Sequence, residues 1–491
     1  MSVSARKTPA PAKAKALAAP VATTKPASHD SGNPEALLAF MTRDWKPASS
    51  EPIVPIKNAD AFAGRRTKLS QAFVGETLVI ATGHEKTRAN DTHYRFRPNT
   101  EFFYLTGNHE PDCVLVLYPS GKKHRHVLYV EPNPGKTDAT FFTDRNKGEL
   151  WVGPRLGVEQ SCARFAVDEA RPLASLASDL AAVAAPARVL RGASMKVQKM
   201  VASELLRDQE LATFLSEMRL IKEPLEIKEL RTSVGATRRG FEDVITRLAE
   251  AKSEREVEGV FHLRARVEGN DVGYGTIAAA GLHACTLHWT RNDGEIKKGE
   301  LLLLDAGVEG HSLYTADITR TLPISGRFTA AQREIYTLVD RARLAALKQV
   351  KPGNDFLEPN RAAMIVLTEG LVALGILTCT AREALDEKNQ FYKRYTLHNV
   401  SHMLGLDVHD CARARMENYK FGPLRAGMVL TIEPGLYFQH DDLTVPSKYR
   451  GIGVRIEDDV LVTVHGYDNL SRDIPTDVDA IEAWMAKVWA S

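Results

Sequence analysis

Hydrophobic positions in the first two hundred residues fall into short runs bounded by glycine, proline and asparagine. Such runs predict β-strands, because a strand in a packed sheet needs only about four to eight suitable residues between turn signals. They lie at 76–83, 101–107, 113–119 and 126–132. A helix is predicted over 33–45, and the alanine- and leucine-rich stretch 173–190 predicts a further helix and a buried strand. We therefore predict an α/β domain with a mixed sheet at residues 34–214.

A helical hydrophobic period begins the second half of the chain. Apolar residues recur at helical spacing at Ile227, Leu230, Val234, Phe241, Val244, Ile245 and Leu248. Ser253 followed by Glu256 is a capping-box pattern, which predicts the start of a second helix. Strand-like and helical segments then alternate, without a repeat of solenoid length. We place the boundary near residue 215 and predict a second domain at 215–491.

The first thirty residues have a different composition. They are mostly alanine, proline, lysine, serine and threonine, which cannot bury enough apolar surface to offset the entropy of ordering. We therefore predict a disordered basic tail over residues 1–33. A nucleic-acid-binding arm is the alternative, but the lack of aromatic residues and the scarcity of arginine favour a solvated segment.

Charge and cysteine content limit which partners and which cellular location we expect. The chain of 491 residues has 64 lysines and arginines against 62 aspartates and glutamates, a net charge of +2. This balance gives no bulk attraction to nucleic acid or to an anionic membrane. Five cysteines lie far apart without a C-x-x-C pair, which favours reduced thiols. Because no apolar run has the length of a membrane helix or a signal peptide, we predict a cytoplasmic protein with no nucleic-acid or membrane partner.

Two aspartates flank a predicted turn in "GELLLLDAGVEGHSLYTADITRTLP". Asp305 and Asp317 lie six residues on either side of residue 311, within two strand-like runs. In an antiparallel hairpin centred there, they would be opposite each other with Cβ atoms about 5 Å apart. Carboxylates this close repel each other unless one is protonated or a cation lies between them. The alternative is a solvated hairpin with two loop aspartates.

Further acidic residues end apolar strands. Glu433 follows "MVLTI" and precedes a proline, which suits the edge of a cleft, although a strand-end glutamate paired with a lysine gives the same pattern. In "YRGIGVRIEDDVLVT", a period of two puts Arg455, Glu457 and Asp459 on the face opposite the apolar one. This polar face predicts a ligand site. The alternatives are a sheet with one solvent-exposed face and a structural ion pair between Arg455 and Glu457.

Histidines are concentrated in "HNVSHMLGLDVHD", where His398, His402 and His409 surround a glycine turn. A lone histidine is usually structural, and three of them favour a site without deciding it. The whole set supplies four carboxylates and one imidazole, from Asp305, Asp317, His402, Glu433 and Glu457. Its charge of about −4 matches two divalent cations, and oxygen-dominated ligation suits Mn²⁺ or Mg²⁺, with Co²⁺ or Zn²⁺ as competitors. Two such ions would generate a hydroxide nucleophile at neutral pH.

The chain resembles aminopeptidase P, the Xaa-Pro aminopeptidase family of pita-bread metallopeptidases, in "LLLLDAGVEGHSLYTADITRT", "HNVSHMLGLDVHD", "VLTIEPGLY" and "YRGIGVRIEDD". The resemblance covers about 215 to 475 and extends more weakly to "YRFRPNTEFFYLTGNHEPDCVLVLYP" in the amino-terminal half. It implies an α+β fold, in which a pita-bread domain of curved, mostly antiparallel sheet follows an α/β domain. It also implies a metal-dependent exopeptidase that releases the N-terminal residue from peptides with proline second, by a bridging hydroxide.

The resemblance implies roles for individual residues. Two metal ions, manganese before cobalt, zinc or magnesium, would be bound by Asp305, Asp317, His402, Glu433 and Glu457. Glu433 would also handle the proton, and His409 would stabilise the oxyanion. His288 would lie near the proline side of the substrate, His398 and Arg455 would hold the substrate and orient the site, and Tyr437 would line the cleft.

Two alternative functions stay open on the sequence. Prolidase, which splits Xaa-Pro dipeptides, uses the same ligands. A non-catalytic pita-bread binding module typically lacks several ligands, whereas all five are present here. Glu101 stands where relatives often carry aspartate, and it is left without a role. The family also implies a homodimer or homotetramer.

Overall fold

The computed structural model describes residues 32–47, 51–90 and 92–491. The predicted tail at 1–33 lies almost entirely outside the described residues. The chain divides into two compact units, one of Met1–Pro52 with Asn133–Leu156 and one of Ile53–Pro132 with Gly157–Ser491. The boundary that the sequence places near residue 215 falls inside the second unit and stays a prediction.

The amino-terminal half mixes short strands and helices, as predicted. Its strands are β1 (Thr77–Ala81), β2 (Thr87–Ala89), β3 (Thr92–His93), β4 (Val114–Ser120), β5 (Lys123–Val130), β6 (Glu169–Pro172) and β7 (Ala187–Val189). Its helices are α1 (Glu35–Met41), α2 (Ala59–Ala72), α3 (Thr100–Thr106), α4 (Thr140–Thr143), α5 (Glu149–Val152), α6 (Val158–Phe165), α7 (Leu176–Ala181), α8 (Met195–Gln198) and α9 (Leu205–Met218).

Five of these strands form the mixed sheet that the sequence predicts. Their order is β6-β5-β4-β1-β7, with parallel pairs at the two edges and antiparallel pairs between them. Val79, Val116 and Val127 share one face and form the centre of its apolar core. The predicted helix at 33–45 and the predicted helix and strand within 173–190 are confirmed by α1, α7 and β7.

The predicted strand at 101–107 is wrong, because these residues form α3. The side chain of Asn99 caps this helix by accepting from the N–H of Phe102 at 3.0 Å, and Gly107 ends it with a positive φ of 67°. Every residue of α3 is buried. A short helix that is buried on all sides has no amphipathic period, so its apolar run from Phe102 to Leu105 resembles a buried strand.

The carboxyl-terminal half contains long helices and short antiparallel strand pairs. The helices are α10 (Pro224–Leu248), α11 (Glu254–Glu268), α12 (Ala330–Leu347), α13 (Glu358–Ala373), α14 (Ala381–Leu385) and α15 (Val478–Trp489). The strands are β8 (Asp271–Val272), β9 (Ile277–Ala280), β10 (Leu301–Ala306), β11 (Val308–Glu309), β12 (Ile318–Pro323), β13 (Val429–Ile432), β14 (Gly435–Tyr437), β15 (Gly453–Arg455), β16 (Asp458–Thr463) and β17 (Gly466–Asn469).

Three antiparallel groups of strands position the site. They are β12-β10-β9, β13-β16-β17 and β14-β15. Helices pack against one another in pairs, α10 with α11 and α12 with α13. The predicted helical period from 227 to 248 is confirmed by α10. Among the helices of the described residues, none combines the length and the apolar character needed to cross a membrane.

The predicted start of α11 is also confirmed. The Oγ atom of Ser253 accepts from the N–H of Glu256 at 3.3 Å. The Glu256 side chain reaches back to the N–H of Lys252 at 3.0 Å, one residue before the cap. Both bonds satisfy backbone donors that a helix amino terminus would leave without a partner.

Candidate metal centre and active site

Strands β10 and β12 bring two aspartates into one buried place. Asp305 lies near the end of β10, Asp317 lies just before β12, and both are buried. They are not opposite each other as predicted: Asp305 pairs with Thr319, so the hairpin is symmetric about residue 312. The turn lies later than expected because Leu313 adopts a left-handed backbone with φ of 61° and donates to the carbonyl of Gly310.

Glu433 and Glu457 come from a second set of strands. Glu433 follows β13, and Glu457 lies in the break between β15 and β16. Both faces are buried from Gly453 to Val462, so the alternative of a wet face is wrong. Thr319 fixes the break, since its Oγ1 donates to Oε2 of Glu457 at 2.6 Å and its carbonyl accepts from the Glu457 N–H at 3.1 Å.

The backbone of the histidine-rich segment lies against β13. The N–H of His402 donates to Oγ1 of Thr431 at 3.2 Å, and the Thr431 N–H donates to the His402 carbonyl at 3.0 Å. The N–H of Glu433 likewise donates to the carbonyl of Val400 at 2.9 Å. These bonds hold the imidazole of His402 beside carboxylates that are distant in the sequence.

The carboxylates and the imidazole meet in one cluster. The Nε2 atom of His402 lies 3.3 Å from Oδ2 of Asp317 and 3.6 Å from Oε1 of Glu433. One oxygen or nitrogen atom from each of Asp317, His402 and Glu457 lies within 4.8 Å of the other two. Groups of these types at this spacing can share a cation.

The electrostatics of the cluster favour bound cations. Burial raises the pKa of Asp305, Glu433 and Glu457, and neighbouring carboxylates raise it further, to about 7 for Glu433. Burial opposes the charge of His402, yet its hydrogen bond to Asp317 and the charge of Glu433 raise its pKa to about 9. Without a metal ion, the imidazolium of His402 would therefore be the cation beside Asp317 and Glu433. Four carboxylates and one imidazole fit divalent ions that prefer oxygen, which would keep the carboxylates ionised.

Arg455 links this cluster to a second group of side chains. Its Nη2 donates to Oδ2 of Asp305 at 2.6 Å and its Nη1 donates to the hydroxyl of Tyr437 at 3.0 Å. The same hydroxyl lies 2.8 Å from Nε2 of His398. Arg455 is thus paired with Asp305, not with Glu457 as one alternative had it. Burial, followed by the charge of Arg455, lowers the pKa of His398 to about 4, so this imidazole is neutral at neutral pH.

A cavity of about 500 Å³ opens beside the cluster. All the residues to which the family resemblance assigns a role line it except Tyr437, which contributes through its hydroxyl contacts. His288 and His409 are its exposed imidazoles, and the His409 ring lies edge-on to His402 with centroids 4.4 Å apart. Buried charges beside exposed imidazoles can bind one end of a short polar molecule.

Sequence reasoning missed Tyr274, which also lines the cavity. Its hydroxyl donates to Oδ1 of Asp305 at 2.7 Å. Burial, followed by the charge of Asp305, raises the pKa of Tyr274 well above its usual value, so the phenol stays protonated and donates. In the sequence, Tyr274 stands between Gly273 and Gly275, and this pair of glycines is the signal that could have drawn attention to it. The structure requires glycine at 273, because a Cβ there would lie 1.9 Å from Oγ1 of Thr315.

Glu101 belongs to a buried ion network next to the cavity. Its Oε1 lies 3.4 Å from Nη1 of Arg219, and the Nε of Arg219 donates to Oδ1 of Asp410 at 3.0 Å. The Nζ of Lys222 donates to Oδ2 of Asp410 at 3.1 Å. Asp410 directly follows His409, so this network fixes the end of the histidine-rich segment.

Residues 228–464 match the metallopeptidase family M24, and residues 62–190 match the aminopeptidase P N-terminal domain. Xaa-Pro aminopeptidase 1 of Streptomyces coelicolor is 49% identical over 459 residues, 93% of each chain. The Xaa-Pro aminopeptidase of Escherichia coli is 34% identical over 86% of this chain and 96% of its own. The solved structure of aminopeptidase P from E. coli with the inhibitor Pro-Leu aligns with a TM-score of 0.79 at 32% identity, covering 89% of this chain and all of that one.

Proposed function

Because the chain belongs to the aminopeptidase P family of metallopeptidases, we propose that it removes the N-terminal residue from peptides with proline in the second position. One observation supports this most strongly. Five side chains of the required types line a single cavity, although they span residues 305 to 457. Their carboxylates are too crowded and too buried to be stable together without cations.

We propose that Asp305, Asp317, His402, Glu433 and Glu457 hold two divalent metal ions. Four carboxylates against one imidazole favour manganese, although the affinity order of divalent ions favours other metals. When bound, such a pair would supply a water activated for attack at neutral pH and a Lewis acid that polarises the scissile carbonyl.

Glu433 is proposed to move the proton. The bond before proline is a tertiary amide, whose nitrogen must gain a proton as the amine leaves. A carboxylate that takes a proton from the attacking water and gives it to this nitrogen accounts for both proton transfers. The Oε2 atom of Glu433 lies 3.5 Å from Nδ1 of His398, and both side chains line the cavity.

The exposed imidazoles are proposed to bind the reacting peptide. His409 lies beside His402 and can donate a hydrogen bond to the oxyanion that forms from the carbonyl. His288 stands on the loop of Leu287 and Thr290, which also line the cavity, and is proposed to contact the proline side of the substrate. Arg455 and Tyr437 orient Asp305 and His398 through the hydrogen bonds described above.

Peptide length separates this activity from prolidase activity. Hydrolysis of an Xaa-Pro-Xaa tripeptide should be compared with that of the Xaa-Pro dipeptide, using metal-stripped protein with and without Mn²⁺. Cleavage of the tripeptide that requires both the metal and Glu433 supports the proposal. Cleavage of the dipeptide alone would make the chain a prolidase. A protein that retains no stoichiometric metal and cleaves neither would favour the non-catalytic binding module.

Two variants make this experiment specific. Glu433→Gln keeps the size of the side chain and removes its ability to take a proton, so turnover should fall by about 10²–10⁴-fold. Glu387→Gln makes the same chemical change at an exposed position and should behave as wild type. A cytoplasmic location and assembly into a homodimer or homotetramer remain proposals, which cell fractionation and light scattering would test.

A further inference from the structure

The side chain of Glu254 is fully buried and accepts four hydrogen bonds. Its Oε1 accepts from the N–H of Ala280 at 2.8 Å and lies 2.7 Å from Nδ1 of His283. Its Oε2 accepts from Nε1 of Trp289 at 2.8 Å and from the N–H of Gly294 at 2.7 Å. One carboxylate at the start of α11 thus joins both ends and the middle of the loop 281–294.

This loop forms one wall of the active-site cavity. Leu287, His288 and Thr290 line the cavity, while the intervening Trp289 bonds to Glu254. The Trp289 ring is stacked on His283 with centroids 3.8 Å apart and planes at 24°. Because Trp289 directly follows His288, fixing the indole fixes the backbone that carries the imidazole.

The loop closes tightly around this carboxylate. A Cβ on Gly294 would lie 2.6 Å from the His283 ring and 2.8 Å from Oε2 of Glu254, so only glycine fits there without displacing them. On the other side of the loop, Nδ2 of Asn292 donates to the carbonyl of Thr276 at 2.9 Å. The wall is therefore bonded to α11, to the residue before β9 and, through Cys285, to Phe438 and Gln439.

From this geometry we propose that Glu254 is a positioning residue, which sets the place of His288 and so the affinity of the cavity for the peptide. The inference rests on the proposed function. An ionised carboxylate can accept all four bonds, two at each oxygen. A glutamine has one accepting oxygen, and its NH₂ group would face two donors, so half of the contacts would be lost without a change of size.

The test uses Glu254→Gln and Trp289→Phe, with Glu258→Gln as the matched control one turn along the same helix. Trp289→Phe keeps an aromatic ring at this position but removes the indole N–H and makes the side chain smaller. Because Trp289 is only half-buried, this variant should fold even if Glu254→Gln does not. Each variant is combined with His288→Ala in a double-mutant cycle, with kcat and KM measured on an Xaa-Pro-Xaa tripeptide and manganese content measured in parallel. Hydrogen exchange of peptides covering 281–294 supplies a readout that does not depend on activity.

We expect kcat/KM to fall about tenfold in Glu254→Gln and about threefold in Trp289→Phe, with unchanged metal content, mainly through KM. In the His288→Ala background these losses should largely disappear, because both residues act through His288. Amide exchange in 281–294 should rise locally in both variants and not in Glu258→Gln.

Equal losses with and without His288 would overturn the proposal, as would faster exchange throughout the protein, because either result would make the role of Glu254 one of general stability. If wild type cleaves no Xaa-Pro peptide, the proposed function fails. The exchange experiment then decides the positioning role alone, and unaltered exchange in 281–294 would refute it.

Discussion

The Nη2 atom of Arg455 lies 2.6 Å from Oδ2 of Asp305, and both side chains are buried at the wall of the cavity. Arg455 also donates to Tyr437 and to Oγ1 of Thr319, the residue that holds Glu457. One guanidinium therefore connects two proposed metal ligands with the residues around them. Its three bonds use the planar fork of arginine, which lysine lacks.

Arg455→Lys should keep the positive charge and lose most of this connection. We expect kcat/KM on an Xaa-Pro-Xaa peptide to fall by about 10–100-fold, as is typical when a partner of a metal ligand is removed. The affinity for Mn²⁺, measured by calorimetry, should weaken as well. The exposed Arg255→Lys is the control. Activity within twofold of wild type would show that charge alone is sufficient at this position.

Tyr274→Phe removes one hydroxyl that donates to Asp305. Since the ring remains and fills the same space, the expected loss is specific to the orientation of Asp305. Metal affinity should weaken about tenfold, with kcat largely restored at saturating Mn²⁺. Titration of activity against free Mn²⁺ measures both effects, and an unchanged titration curve would exclude a role for this phenol.

Removing the metal should lower stability as well as activity. Without cations, Asp305, Asp317, Glu433 and Glu457 lie buried together, so cations that bind only the folded state raise the melting temperature. Calorimetric scans of the stripped protein should show the Tm rising as Mn²⁺ is added and rising further with excess metal, because binding is linked to folding. In His402→Ala the rise should be smaller and require more metal. A Tm that is insensitive to Mn²⁺ would contradict the proposed site.

The ion network of Asp410 predicts a pH dependence of stability. Burial opposes the charge of Asp410, but Lys222 and Arg219 outweigh it and lower its pKa to about 2. An unfolded aspartate titrates near pKa ~3.9, so the folded protein holds its proton less tightly. This contribution is complete above about pH 4 and is lost as the pH falls towards 2.

Asp410→Asn tests this dependence. The substitution leaves Lys222 buried without its carboxylate, so the free energy of unfolding at pH 7 should fall by about 3–5 kcal/mol. The difference from wild type should shrink between about pH 4 and 2, which urea titrations at each pH would measure. Both proteins carry the same proposed metal site, so the effect of acid on metal binding should largely cancel in the difference between their free energies of unfolding. A constant difference over this range would mean that Asp410 is not ionised.

The proposed metal ligands could be singled out from the sequence as candidates, because most of them break a local pattern, and the resemblance to a known family then favoured them over the alternatives. Glu433 ends an apolar strand, Glu457 stands within one, and the two aspartates flank a turn. Chemistry then limits what four acidic groups and one histidine can do together. The hairpin register could not be predicted in the same way, because the position of the turn depends on Leu313, whose left-handed backbone is unusual for a leucine.

Other features depend on contacts that no local pattern carries. Helix α3 is buried on every side, including at its glutamate, so its sequence lacks the apolar–polar period that identifies a surface helix. Tyr274 donates one hydrogen bond to Asp305, and Glu254 accepts four hydrogen bonds from residues 280 to 294. Residues of these types are common throughout the sequence, so only the three-dimensional structure distinguishes them.

The proposed ligands are spread from Asp305 to Glu457, and this spacing has a consequence for synthesis of the protein. A nascent chain cannot assemble the centre until β15 and the start of β16 have left the ribosome and paired with strands made much earlier. A product that terminates before Glu457 would lack part of the centre and expose buried carboxylates. Completion of the centre therefore requires translation at least through Glu457, and a chain truncated before that residue would be an inactive target for proteolysis.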